Sequence, residues 1–228
     1  VLSAIAIIPS APVMIPALAS SAAEELVALR EAVFAAVSSL PPRWIAIGAG
    51  TTDLRVGPEA VGTFAGYGVD VPVALSPGAE AAACELPLCA LITGWVRGQV
   101  DARASAEVRV LDADLDAASA MERGKRLRAE IDAAGEPVGV LIVADGLHTL
   151  TPSAPGGHDP DSIPVQSALD NALAGGDSSA LARLPRAVVG RVAYQALAGL
   201  VTSAPRSAKE LYRGAPYGVG YFAGVWHP

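Results

Sequence analysis

The chain alternates short, continuously apolar runs with longer stretches in which apolar residues recur every three or four positions. Leu2 to Ile8 is an Ile-rich run ended by Pro9, which predicts a buried strand. A proline-punctuated loop follows from Pro9 to Pro16. A helix is predicted to begin at Ser21, where Glu24 three residues on completes a capping box. Leu26, Leu29, Val33 and Val37 keep helical spacing down one face of it, and Pro41-Pro42 stop it.

Arg43 to Ile47 predicts a second buried strand, which runs into Gly48-Ala49-Gly50. Val69 to Leu75 predicts a third strand and Val108 to Leu111 a fourth. Leu86 to Val96 is helical in pattern, with Pro87 interrupting it. Asp114 to Ala134 predicts a long helix with Glu122 and Arg126 as an i,i+4 pair and Gly135 at its end. Val138 to Val143 is a wholly apolar strand. Ala168 to Leu200 holds two or three short helices. Val219 to Val225 predicts a closing strand, with Gly218-Val219-Gly220 marking close backbone packing at its start.

Strands and helices alternate, and several strands are apolar throughout. The expected fold is therefore α/β, a central mostly parallel or mixed sheet flanked by helices on both faces. No stretch has the composition of a linker, so residues 1–228 are expected to form a single domain. With 52% apolar and 17% charged residues, disorder is excluded. Ala and Val dominate the apolar share, a bias expected of a high-GC bacterial protein. The formal net charge of −7 opposes nucleic-acid binding. No Lys/Arg run suits an anionic membrane. Pro9, Pro12 and Pro16 break the uncharged N-terminal stretch, which reads neither as a signal peptide nor as a spanning helix, so the expectation is a cytoplasmic protein. Cys84 and Cys89 fit no zinc or redox spacing and are expected to be small core residues on a helix.

In open α/β sheets, ligands bind beyond the carboxyl ends of the strands. The loops after Ile8, Ile47 and Val143 are the candidates. The third runs from Ala144 through Asp145, His148 and His158 to Pro160, and holds two of the chain's three histidines. A His with an Asp three residues before it suits general acid/base work, the carboxylate orienting the imidazole and raising its pKa. The competing reading is a surface turn whose polar residues satisfy the backbone. A Ser10/His148/Asp145 hydrolase triad is a further arrangement of the same edge, but no Gly-x-Ser-x-Gly elbow surrounds Ser10. Gly48-Ala49-Gly50 does not continue as a dinucleotide loop, because Asp53 falls where a third Gly belongs.

The segment Val143 to Pro160 resembles the class III extradiol ring-cleavage dioxygenases and the related Memo-like proteins, in which a strand ends in Gly-Asp-Leu-Ser-His and continues through Leu-Thr, Ala-Pro and Gly-Tyr-Asp-Pro. Asp145 and His148 match the Asp and His of that motif, and His158 stands where the family often has Tyr. Ile7 to Pro16 is similar to the family's opening strand and loop. Glu85 to Leu91 is similar to its Leu-Pro-Phe-Leu helix, and Pro216 to Phe222 to its closing strand. The resemblance implies the extradiol dioxygenase fold and an oxidoreductase ancestry, with iron(II) held by two histidines and one carboxylate.

The chain departs from that ligand set. Ser10 stands at the position of the first His, Ala49 or Gly50 at the second, and Gly190 or Arg191 near the third ligand. What is kept, Asp145 and His148, corresponds to the family's acid/base pair and not to the metal ligands. Two expectations follow. One is a divergent member that binds a small molecule or a protein partner in the ancestral cleft, lined by Ser10, Ala49, Gly50, His148 and His158. The other is an active enzyme, either with a rebuilt iron(II) or zinc site drawn from His148, His158 and Asp53, with Glu59 nearby, or as a metal-free acid/base catalyst using His148 and Asp145. His227, next to last, is expected to be an exposed tail residue. High apolar content and low charge fit a homodimer.

Overall fold

Uninterrupted apolar runs become the centre of the sheet, because a strand buried on both faces needs no polar residues. The computed structural model describes residues 1–19 and 24–228; the helix start predicted at Ser21 lies outside the described residues. In chain order the elements are β1 (Leu2–Ile8), α1 (Pro16–Ala19), α2 (Val27–Val37), β2 (Arg43–Gly50), β3 (Leu54–Val56), β4 (Val61–Thr63), β5 (Pro72–Ala74), α3 (Leu88–Val100), β6 (Ser105–Asp112), α4 (Ala117–Ala134), β7 (Val138–Val143), α5 (Ser162–Gly175), α6 (Ser178–Leu181), α7 (Arg191–Leu200), β8 (Ser207–Gly214) and β9 (Tyr221–His227).

The seven-stranded sheet runs β3-β6-β2-β7-β1-β9-β8, with β4 and β5 as a separate antiparallel pair. The four central strands are parallel, and β3, β9 and β8 are added antiparallel at the two sides. The chain is α/β with a mixed sheet, as its sequence pattern predicts. Alternate residues feed opposite faces. Ile5, Ile7, Ile45, Ile47, Val140 and Ile142 join the core under α4, α5 and α7. Ala6, Ile8, Trp44, Ala46, Leu141 and Val143 join the core under α2 and α3. Each fully buried Ile or Leu contributes on the order of 1.5–3 kcal/mol.

The helix ends follow local chemistry. Asp116 caps α4 by accepting the Ser119 N–H at 2.8 Å, and Gly135 closes it in the left-handed region at φ 73°. The Glu122–Arg126 pair forms at 3.2 Å. Among the described residues no helix is long and apolar enough to cross a membrane.

Several elements differ from the sequence expectation. Pro87 does not interrupt a helix; it sits just before the first turn of α3, where its missing N–H costs nothing. The run Val69 to Leu75 shrinks to the short β5, paired with β4 outside the main sheet. Helix α5 begins at Ser162, ahead of Ala168, and the closing strand begins at Tyr221 after a turn that holds Gly218 at φ 76°. Strands β3, β4 and β8 carry no apolar run to announce them. Cys89 is buried on α3 as expected, whereas Cys84 is exposed and precedes the helix.

Helices α4 and α7 touch backbone to backbone. A Cβ added at Gly124 would overlap the Ala196 carbonyl oxygen, and one at Gly199 would overlap the Met121 carbonyl oxygen. Replacing either glycine by alanine should therefore destabilise the fold by ~1–3 kcal/mol or more, despite alanine's better helix propensity. Urea unfolding of Gly124→Ala and Gly199→Ala checks this; unchanged midpoints would disprove the contact.

Candidate functional site at the strand edge

Three strand ends meet at one edge of the sheet. Ile8 pairs with Val143 across β1 and β7, and Gly48 pairs with Val143 across β2 and β7. The Ala144 N–H continues the ladder by donating to the Ile8 carbonyl at 2.9 Å. Ser10, the Ala49-Gly50 pair and Asp145 thus leave their strands side by side. Gly48 itself lets α3 approach, since a Cβ there would overlap Cys89. Burial pushes the Cys89 thiol up to about 11, so it is an inert core group.

Asp145 Oδ1 accepts the backbone N–H of Ser10 at 2.8 Å. The Asp145 carbonyl accepts the Gly190 N–H at 2.9 Å, and the Gly146 N–H donates to the Gly220 carbonyl at 2.8 Å. The start of α7 holds the loop on one side and the entry to β9 on the other. This packing strips water from the half-buried Asp145 and pushes its carboxyl up to about 7. The single N–H from Ser10, which favours the charged form, offsets only part of that. Burial, and then the Asp145 charge, raise the phenols of Tyr221 and Tyr194. The Tyr194 hydroxyl donates to the Ala144 carbonyl at 2.9 Å.

His148 does not join Asp145. It is exposed, and among the described residues its ring makes no hydrogen bond to the Asp145 carboxyl or to Ser10. The reason lies in the two residues between. Gly146 is tied to Gly220, and the Leu147 N–H donates to Gln166 Oε1 at 2.8 Å while its side chain enters the core. The following residue is turned to solvent. The His148 ring instead lies over Gly156, where an added Cβ would come within 2.7 Å of Nε2. The expected imidazole–carboxylate pair is therefore absent, and so is the Ser10/His148/Asp145 relay; Ser10 contributes its backbone amide rather than its hydroxyl.

Gln166 is the supporting residue that sequence reasoning missed. It is buried, accepts from Leu147, and donates from Nε2 to Asp170 at 2.8 Å. Its head fits between Gly146 and Gly220, and a Cβ at either glycine would overlap it. The two glycines were the available signal, since a pair of bare backbones marks where another side chain inserts.

The donor set does not fit the iron site that the resemblance implies. Ala49 and Gly50 have no donor side chain. Gly190 has no room for one, because a Cβ there would lie 2.8 Å from the Asp145 carbonyl oxygen and 2.5 Å from the Ala144 Cβ. Arg191 turns away and donates to Gln195 Oε1 at 3.0 Å and to the carbonyls of Ala113 and Leu115 at 3.1 and 2.9 Å. Nor do His148, His158 and Asp53 form the expected substitute. His158 is exposed in the turn. Asp53 accepts the Asp112 N–H at 2.9 Å and pairs with Arg123. Glu59 is exposed, and among the described residues no three His, Cys, Asp or Glu side chains stand close enough to hold a metal ion. His227 ends β9, its Nδ1 3.1 Å from Ser207 Oγ; because β9 runs antiparallel to β1, this is the opposite end of the sheet.

A carboxyl raised from 3.8 to about 7 binds more protons folded than unfolded between those values. Its contribution to stability is present below pH 4 and is lost as pH rises through 7. Asp145→Asn keeps an acceptor for Ser10 but carries no charge. It should be more stable than the parent at pH 8 by roughly 2–4 kcal/mol at most, with the gap narrowing below about pH 7 and closing only near pH 4. Thermal melts across pH check this, and a gap that widens on acidification would contradict the desolvated carboxyl.

No family model matches the chain, and no curated protein matches it in sequence. Among solved structures, the uncharacterized protein JW3007 from Escherichia coli K12 is similar over 99% of this chain and 100% of that chain, with TM-score 0.57 and 12% identity. That likeness extends over the whole chain and shows a shared fold.

Proposed function

We propose that the chain is a divergent relative of the class III extradiol dioxygenases that binds a small molecule at the strand edge without the family's iron. The observation that carries this reading is Gly190. Packed against the Ala144 side chain and the Asp145 backbone, it admits no side chain at one of the two positions matched to the third ligand, and Arg191 at the other is engaged elsewhere, which supports a site without the iron set. Ser10, Ala49 and Gly50 lack His at the other two positions. The Asp145 carboxyl remains, half-buried and ready to donate or accept a hydrogen bond to a hydroxylated ligand near neutral pH. Two unpaired cysteines, one of them exposed, suit the reducing cytoplasm.

Elemental analysis after anaerobic incubation with iron(II) should find no stoichiometric metal, and catechols should not be cleaved on admitting oxygen. Phenols and catechols titrated by NMR should shift the amides of Ser10, Asp145 and Gly190, and Asp145→Asn should weaken that binding about tenfold, the value of a hydrogen bond to a charged partner. One equivalent of iron with oxygen-dependent ring cleavage would overturn the proposal. His148→Ala should leave stability within about 0.5 kcal/mol, as for other exposed positions; loss of folding would mark His148 as structural.

A second reading, a metal-free acid/base enzyme, is favoured by the same carboxyl, whose pKa near 7 supplies both protonation states at neutral pH. It requires a reaction rate with an inflection near pH 7 that disappears in Asp145→Asn.

A further inference from the structure

We propose that the cleft between β3, β6 and α4 is a second binding site, for a small organic anion with a carboxylate or phosphate head on an apolar body. The cleft measures about 260 Å³. None of Ser10, Asp145, His148 or Gly190 lines it, so the inference stands apart from the strand-edge reading.

Its walls gather positive charge in a chain of net charge −7. Arg55, Arg109, Arg123 and Arg126 line it, four of the chain's 16 lysines and arginines. The only acidic residues lining it are Asp53 and Glu130, and both are already engaged. Asp53 pairs with Arg123 and accepts the Asp112 N–H, and Glu130 pairs with Arg109 at 2.7 Å. Arg55 pairs with Glu107 at 2.6 Å and Arg126 with Glu122 at 3.2 Å, acids that do not line the cleft.

Donors remain. Each guanidinium carries five N–H groups. The hydrogen bonds present engage one of them on Arg55, one on Arg123, one on Arg126 and two on Arg109. The rest have no protein partner among the described residues. A planar fork of such donors matches a carboxylate or phosphate through paired hydrogen bonds.

The floor selects a carbon body. Ile47, Leu111 and Leu127 reach the cleft from the core, and Leu54, 47% exposed, stands on β3 at the rim. Water held over that surface beside unfilled guanidiniums is replaced favourably by a ligand with an anionic head and an apolar flank.

The test is titration of the whole chain, by NMR or calorimetry, with benzoate, phenyl phosphate, inorganic phosphate and neutral benzamide. An aryl anion should bind and shift the amides of Leu54, Arg55 and residues 109–111. It should bind about tenfold more tightly than benzamide, one charge-assisted contact's worth. It should also bind more tightly than inorganic phosphate, which lacks the apolar flank. Arg55→Gln and Arg126→Gln, both at exposed side chains, should each weaken it about fivefold or more, while Arg186→Gln, outside the cleft, should not. Raising salt from about 50 to about 500 mM should weaken it further. Preference for benzoate or for phenyl phosphate identifies the head group, and either supports the proposal. Benzamide binding as tightly as benzoate, no aryl anion bound by about 10 mM, or affinity unchanged in both cleft variants with their circular dichroism intact would overturn it.

Discussion

The parallel register of β1 against β7 brings Ser10 beside Asp145 at the strand edge. Ile8 lies beside Val143, and the ladder runs one residue further, from the Ala144 amide to the Ile8 carbonyl. With that alignment the Ser10 amide meets the Asp145 carboxyl. A slip of one residue would move Ile5, Ile7, Val140 and Ile142 to the wrong face, so the two cores fix the register and the register fixes the site.

Two kinds of electrostatics coexist in the chain. At Asp145, packing from α7 and from the approach to β9 removes water faster than hydrogen bonds replace it, and the neutral acid is favoured. At the arginine cleft the charges keep contact with solvent, their pairs are open to water and each contributes little to stability. Desolvation makes one group a titrating acid; continued hydration keeps the others available as donors.

The central strands and helix α4 were legible because their residues carry their own evidence. VGVLIV can hardly be anything but a doubly buried strand, and Asp116, with Gly135 eighteen helical residues on, brackets a helix. Strand β8 was not legible. SAKELYRG places Lys209, Glu210 and Arg213 along a sheet edge, where charge suits an unpaired flank but hides the apolar alternation. Asp145 was legible from its position beyond a strand end. Its partner was not, since a backbone amide carries no side-chain signature. The direction of His148 was equally hidden, because it depends on Leu147 being held by Gln166, nineteen residues along the chain.

The contact between α4 and α7 has a consequence for descent. Most exchanges at a glycine codon's first or second base install a side chain, and at Gly124 and Gly199 even a methyl group meets a carbonyl of the facing helix. Neither position can drift alone by small steps, and no change at the partner helix's side chains can compensate, because the obstacle is main chain. Lineages that lose the motifs of the strand edge can still be expected to keep these two residues, so they are better markers of shared ancestry than the loop that carries the chemistry.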